Sequence, residues 1–298
     1  MRNRKPGKIC DHLWLLGTPE ACVYLIEGRQ SSALINAGMA YILPDVVRQI
    51  DQFGIEKRKI KHLIILHSHF DHVGIVPYLK RKHPEIEIYA SARAWEALAN
   101  SRALSLIDKF TRKVATRVGK GMKANWDAYD WKWSGDISGR ITQEGDFIDL
   151  GDRRIEIIET PGHSACSISA YDPEVKALFP SDAAAIPYAD EYVIAAGSSM
   201  GKYLESLVKL DRFDTRLICA DHYGAVTGDE ARHYIQNTQL AAGDMKKLLT
   251  ETLDAEGSVD KAARVLVDRH YRLRPDYFVD PDILMITYTR MLGGLACP

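Results

Sequence analysis

No stretch of this 298-residue chain is long and apolar enough to span a membrane. The basic start, Met1-Arg2-Asn3-Arg4-Lys5-Pro6, is not followed by the continuous apolar segment that a signal peptide needs. Neither membrane insertion nor export is expected. Cysteine is scarce and unpaired in pattern: Cys10, Cys22, Cys166, Cys219 and Cys297 are odd in number and lack the spacing of a disulfide framework or zinc knuckle. A reducing cytoplasm is the expected setting. Cys166 and Cys219 stand in strand-like runs and are expected to be buried small hydrophobes. A surplus of either charge is also missing, since 39 Lys and Arg face 40 Asp and Glu, for a net charge of -1. With no long basic arm, that balance speaks against a nucleic-acid partner. No short-period repeat or low-complexity tract is present. What remains is 46% hydrophobic and 27% charged, enough to bury a large core.

Against that ordinary background one run stands out, His67-Ser68-His69-Phe70-Asp71-His72, directly after the apolar Leu63-Ile64-Ile65-Leu66. Residues two apart on an extended segment point to the same side, so His67 and His69 can share one metal. Asp71 and His72 follow where the strand pattern breaks, and the turn into the next helix can aim them at a second metal. Three later runs end in the same manner. Thr160-Pro161-Gly162-His163-Ser164 follows the strand-like segment 154–159, Asp182 closes Phe179-Pro180-Ser181-Asp182, and His222 ends Leu217-Ile218-Cys219-Ala220-Asp221-His222. Ends of strands are where α/β sheets place ligand sites.

The order His-x-His-x-Asp-His, then Pro-Gly-His, then Asp, then His resembles the dinuclear hydrolase branch of the metallo-β-lactamase fold, over roughly Trp14 to Thr227. The stretch from Glu144 to Gly151 is similar to that family's strand and turn. The resemblance implies that His67, His69 and His163 hold a first metal, that Asp71, His72 and His222 hold a second, and that Asp182 bridges them. Imidazole suits zinc, iron and related ions, manganese included, and carboxylates can span two ions. Two such ions roughly 3.5–4 Å apart can share a hydroxide, the implied nucleophile for an ester, thioester or lactone carbonyl. Asp71 is the candidate catalytic residue, orienting that hydroxide and shuttling a proton; protons moving only through metal-bound water is the alternative.

Departures from the family pattern narrow the branch. Class B β-lactamases often carry cysteine where this chain has Asp182, so antibiotic hydrolysis is not the expected task. His69 and the lack of a flavodoxin domain argue against the flavodiiron proteins. Asn36 in Ile35-Asn36-Ala37-Gly38 replaces a more usual Asp. It either tunes the surroundings of the metals or is a plain turn residue.

Along the chain, strands are expected at 23–26, 32–35 and 86–89, with helices from about Pro44 to Gln52 and from His72 to Lys82. Composition alone gives α/β; the resemblance implies an αββα sandwich for residues 1–227. A helical insert at about 92–139 carries Lys109, Arg112, Lys113, Arg117, Lys120 and Lys123, then Trp126, Trp131 and Trp133. It either receives a phosphate-bearing substrate such as an acyl-CoA or is a solvated basic face over packed tryptophans. The tail, 228–298, reads as helices at about 230–253, 259–269 and 282–295. Such a tail makes the chain similar to the quinolone-signal response (2-aminobenzoylacetyl-CoA) thioesterase type. That resemblance implies a helical extension covering a dinuclear centre and a small-molecule acyl substrate. A homodimer through the tail or sheet edge is a further expectation. Two other readings stand beside the hydrolase: an iron-dependent enzyme like the sulfur dioxygenases, and a regulatory protein acting by partner binding with vestigial activity.

Overall fold

In the computed structural model of the chain, residues 1–120 and 125–296 are described; Lys123, Cys297 and Pro298 lie outside them. The first half runs β1 (Arg2–Asn3), β2 (Gly7–Cys10), β3 (Leu13–Thr18), β4 (Ala21–Glu27), β5 (Ser32–Ile35), α1 (Leu43–Gln52), β6 (Ile60–Ile64), α2 (Val76–Lys82) and β7 (Glu87–Ala90). There follow α3 (Ala92–Leu98), α4 (Ser101–Arg117), β8 (Arg140–Ile141), β9 (Phe147–Asp149), β10 (Arg154–Glu159), β11 (Ile168–Asp172) and β12 (Ala177–Phe179). The chain continues through α5 (Met200–Leu210), β13 (Leu217–Cys219), β14 (Ala225–Thr227), α6 (Asp229–Arg232), α7 (Tyr234–Glu256), α8 (Val259–Leu273) and α9 (Pro281–Ala296).

Two sheets face one another, one ordered β2-β3-β4-β5-β6-β7-β8 and the other β1-β14-β13-β12-β11-β10-β9. The alternation of side chains along each strand decides what each layer buries. In β4, Cys22, Tyr24 and Ile26 enter the core between the sheets, while Val23 and Leu25 face the helices outside. β10 does the same on the opposite sheet, with Ile155 and Ile157 inward and Ile158 outward. The result is the αββα sandwich, with α1, α2 and α4 outside the first sheet and α5, α7, α8 and α9 outside the second.

Local chemistry sets the helix ends. Asn100 accepts from the backbone of Arg102 and Ala103 at the start of α4, and Gly257, in the left-handed region at φ 64°, stops α7. The tail helices are not loosely appended: Tyr234, Ala242, Leu249 and Leu266 share a core with Leu178 and Ile218 of the second sheet.

Three local expectations need correction. β6 ends at Ile64, so His67 and His69 stand on the loop beyond the strand. The helix expected from His72 begins only at Val76, because backbone bonds from Ala37 to the His72 carbonyl (3.1 Å) and from Gly74 to the Gly38 carbonyl (2.7 Å) hold the intervening residues in turns. Cys166 lies in a turn before β11 and not in a strand, though it is buried as expected.

Candidate metal centre

Loops at the C-terminal ends of four strands converge on one spot. The loop after β6 carries His67, His69, Asp71 and His72; that after β10 carries His163; the turn after β12 carries Asp182; and the link from β13 to β14 carries His222. Close backbone packing makes this possible. A Cβ on Gly74 would lie 2.1 Å from the Ala40 nitrogen, and one on Gly162, at φ 142°, would lie 2.3 Å from the Tyr203 backbone.

The seven residues fall into two groups, His67 with His69 and His163, and Asp71 with His72, Asp182 and His222. Within each group the candidate ligand atoms lie within 4.8 Å of one another. Asp182 faces both. Its Oδ2 is 3.3 Å from Nε2 of His163 and 3.3 Å from Nε2 of His72, and its Oδ1 is 3.6 Å from Nε2 of His222. Asp71 Oδ2 sits 3.6 Å from His72 Nε2 and 3.7 Å from His222 Nε2.

The outward nitrogens are already bonded. Nδ1 of His67 meets Ser181 Oγ at 3.1 Å, that of His72 meets Asp221 Oδ2 at 3.0 Å, that of His163 meets the Ala195 carbonyl, and that of His222 meets the Glu20 carbonyl at 2.7 Å. Nε2 of His67, His72 and His222 is buried and has no hydrogen-bond partner. Three orphaned nitrogens aimed at two carboxylates are costly as plain protein and suited to a divalent cation.

Charge points the same way. Burial lowers His67 well below its ordinary value and His69 to about 3, so both are neutral imidazoles ready to donate. On Asp182 burial opposes ionisation, but His72, His163 and His222 overcome it and hold the carboxyl well below the usual range. Burial likewise opposes charge on His72, and Asp71 with Asp182 outweigh it and raise its pKa well above normal. His72 and the two carboxylates facing it therefore hold a proton whose place a cation can take.

Several neighbours escaped sequence reading. Asp221 and Ser181 bond to each other and to the outer edges of His72 and His67. The only hint of them was adjacency to His222 and Asp182. Phe278, from the loop between α8 and α9, stacks on the His222 ring at 4.7 Å and 29°. Nothing in the sequence signals that contact. Asn36 proves to be the turn residue: at φ 66°, it donates to the Cys22 carbonyl at 2.9 Å and accepts from Ala37 at 2.7 Å. Trp126, Trp131 and Trp133 pack in the core, Arg112 lies over the first two rings, and Trp133 donates to the Val73 carbonyl at 3.1 Å. Lys113 and Arg117 bind the α8–α9 loop. Burial pushes the Cys219 thiol well up, in keeping with a packing role.

A profile of the metallo-beta-lactamase superfamily matches residues 21–222, the segment that holds all seven residues. The chain belongs to that superfamily. Such proteins typically bind divalent metals, and both groups here are able to hold one. This superfamily member is 29% identical over 167 residues to the acyl-coenzyme A thioesterase MBLAC2 of Gallus gallus and 27% identical over 173 residues to that of Homo sapiens. Each match takes in 54% of this chain and 57% of the relative, so the chain spans a little over half the length of those thioesterases. Among solved structures, the metallo-beta-lactamase family protein TTHA1429 from Thermus thermophilus is similar, with a TM-score of 0.65 and 16% identity. It covers 96% of this chain and 95% of its own, a likeness of fold that includes the tail helices. No helix among the described residues is long and apolar enough to cross a membrane.

Proposed function

We propose that this chain is a dinuclear metal-dependent hydrolase that cleaves thioesters of the acyl-CoA class. The observation that carries the reading is the Asp182 carboxylate, with Oδ2 3.3 Å from both His163 and His72, which joins the two groups into one centre. In this reading His67, His69 and His163 hold one ion, Asp71, His72 and His222 hold the other, and Asp182 belongs to both. Bound there, two divalent ions supply a hydroxide nucleophile at neutral pH and polarise a carbonyl oxygen. Imidazole and carboxylate donors suit zinc, iron or manganese.

The protein's own groups do the rest. Asp71 turns Oδ2 toward His72 and His222, which leaves Oδ1 to orient the attacking water and take its proton. Ser181 and Asp221 hold the imidazoles of His67 and His72 at the angle their Nε2 atoms need. Tyr277 and Phe278, buried beside the centre, keep bulk water from the reacting carbonyl. The helical extension 228–298 thus covers the site through its α8–α9 loop. The choice of a thioester over an ester or lactone rests on the relatives named as acyl-CoA thioesterases.

The test is turnover of a panel of acyl-CoA, acyl-glutathione, aryl-ester and lactone substrates by purified protein. Release of free thiol from an acyl-CoA, abolished by chelation, is the expected result. Hydrolysis of lactones alone, or none of the panel, would overturn the substrate class.

A further inference from the structure

His222 shares with His163 a single outer bond to a backbone carbonyl, and differs in what lies against its ring. Its Nδ1 meets the Glu20 carbonyl at 2.7 Å, a single point about which the ring can still pivot. Phe278 closes that freedom by lying against the imidazole face, centroids 4.7 Å apart and planes 29° from parallel. Among the described residues, the ring contacts of His67, His69 and His163 are with other members of the cluster, whereas His222 takes an aromatic partner from outside.

Phe278 is in turn fixed from a distant part of the chain. Arg117, in the last turn of α4, donates through Nε to the Tyr277 carbonyl at 2.8 Å and through Nη2 to the Pro275 carbonyl at 3.1 Å. The Tyr277 carbonyl belongs to the peptide group that carries Phe278, so this bond sets the plane from which the phenyl ring departs. The guanidinium also lies 4.7 Å from the centre of the Tyr271 ring, and the Tyr271 hydroxyl donates to the Val279 carbonyl. Arg117, Tyr271 and the loop 274–280 therefore form one clamp. Lys113 pairs with Asp280 and Asp282 on the more exposed side, where an ion pair contributes little.

We infer that Phe278 is a positioning residue for His222 and that Arg117 acts through it, so that α4 governs the affinity of the ion held by Asp71, His72, Asp182 and His222 while leaving the other ion alone. This rests on the dinuclear reading above. Neither residue supplies a ligand atom; each restricts the angle at which Nε2 is presented.

Zinc titration of chelator-stripped protein, followed by calorimetry, tests it. The step owed to His222 is assigned as the one lost in His222→Ala. Phe278→Leu keeps apolar bulk and removes the flat face; it should weaken that step about 10-fold, the low end of what outer-shell changes cost a metal site. Arg117→Ala should weaken the same step, Arg117→Lys should restore part of it, and Lys113→Ala should leave it unchanged. The other step should match wild type throughout, and thermal unfolding midpoints show that each variant is folded. Equal weakening of both steps, no weakening of either, or an equal loss in Lys113→Ala would overturn the inference. Two ions in wild type with unaltered variants would sink this inference alone. Fewer than two ions in wild type would sink the dinuclear reading and this inference with it.

Discussion

Asp221 takes the outer nitrogen of His72, its Oδ2 3.0 Å from Nδ1, and both side chains are buried. A carboxylate is an acceptor, so Nδ1 keeps its proton, and a cation that replaces the proton on Nε2 would find that nitrogen already aimed between Asp71 and Asp182. Asp221→Ala should therefore lower metal affinity by about 10- to 100-fold while leaving every ligand atom in place. Competition with a coloured chelator measures it. Wild-type affinity in the variant would remove Asp221 from the site.

Asp182 and His69 should fail in different ways. His69 belongs to one group only, and His69→Ala should lose that ion and activity together. Asp182 faces both groups, so Asp182→Ala should weaken both ions and abolish their mutual influence. Stepwise metal titration of the two variants separates the cases.

His270 gives the fold an acid-sensitive point away from the metal ligands. It is buried against Tyr271, Tyr277 and Tyr288, with Arg274 nearby. Burial first, then Arg274, lowers its pKa from 6.5 to about 3. Between those values the unfolded chain binds a proton that the folded chain refuses, so stability falls as pH drops from 6.5 toward 3. The limiting slope from one such group is about 1.4 kcal/mol per pH unit. His270→Asn should flatten the pH dependence of denaturant unfolding in that window. An unchanged slope would contradict the assignment.

Metal should also stabilise the fold, because three buried nitrogens gain partners. At a hundredfold excess of free ion over Kd the gain is about 2.7 kcal/mol per site. Chelation should lower the thermal midpoint, and zinc should restore it. A midpoint indifferent to both would contradict binding at these nitrogens.

The candidate ligands were legible because His and Asp at the ends of apolar runs are chemically conspicuous, and the loops after β6, β10, β12 and β13 bring all seven together. The sandwich was legible through the resemblance, composition giving only α/β, because a strand apolar on both faces such as β4 does not show in sequence which face meets the other sheet. Other features depend on tertiary contacts with no local signature. Residues 72–75 resemble a helix start, yet the turn at Asn36–Gly38 captures their backbone. Phe278 meets His222, and Arg117 of α4 meets the Phe278 loop, only because the tail folds back to the site. The basic residues of α4 left open a phosphate site or a solvated face, whereas Arg117 holds the α8–α9 loop and Lys113 pairs with Asp280 and Asp282 at its more exposed edge.

The most direct measurement is the metal content of protein purified without added metal, taken on the same sample that is assayed for acyl-CoA hydrolysis. About two divalent ions per chain, with thiol release that disappears on chelation, is the predicted result for a bridged pair. A single ion, or none, in a sample that still hydrolyses the thioester would contradict the shared role of Asp182.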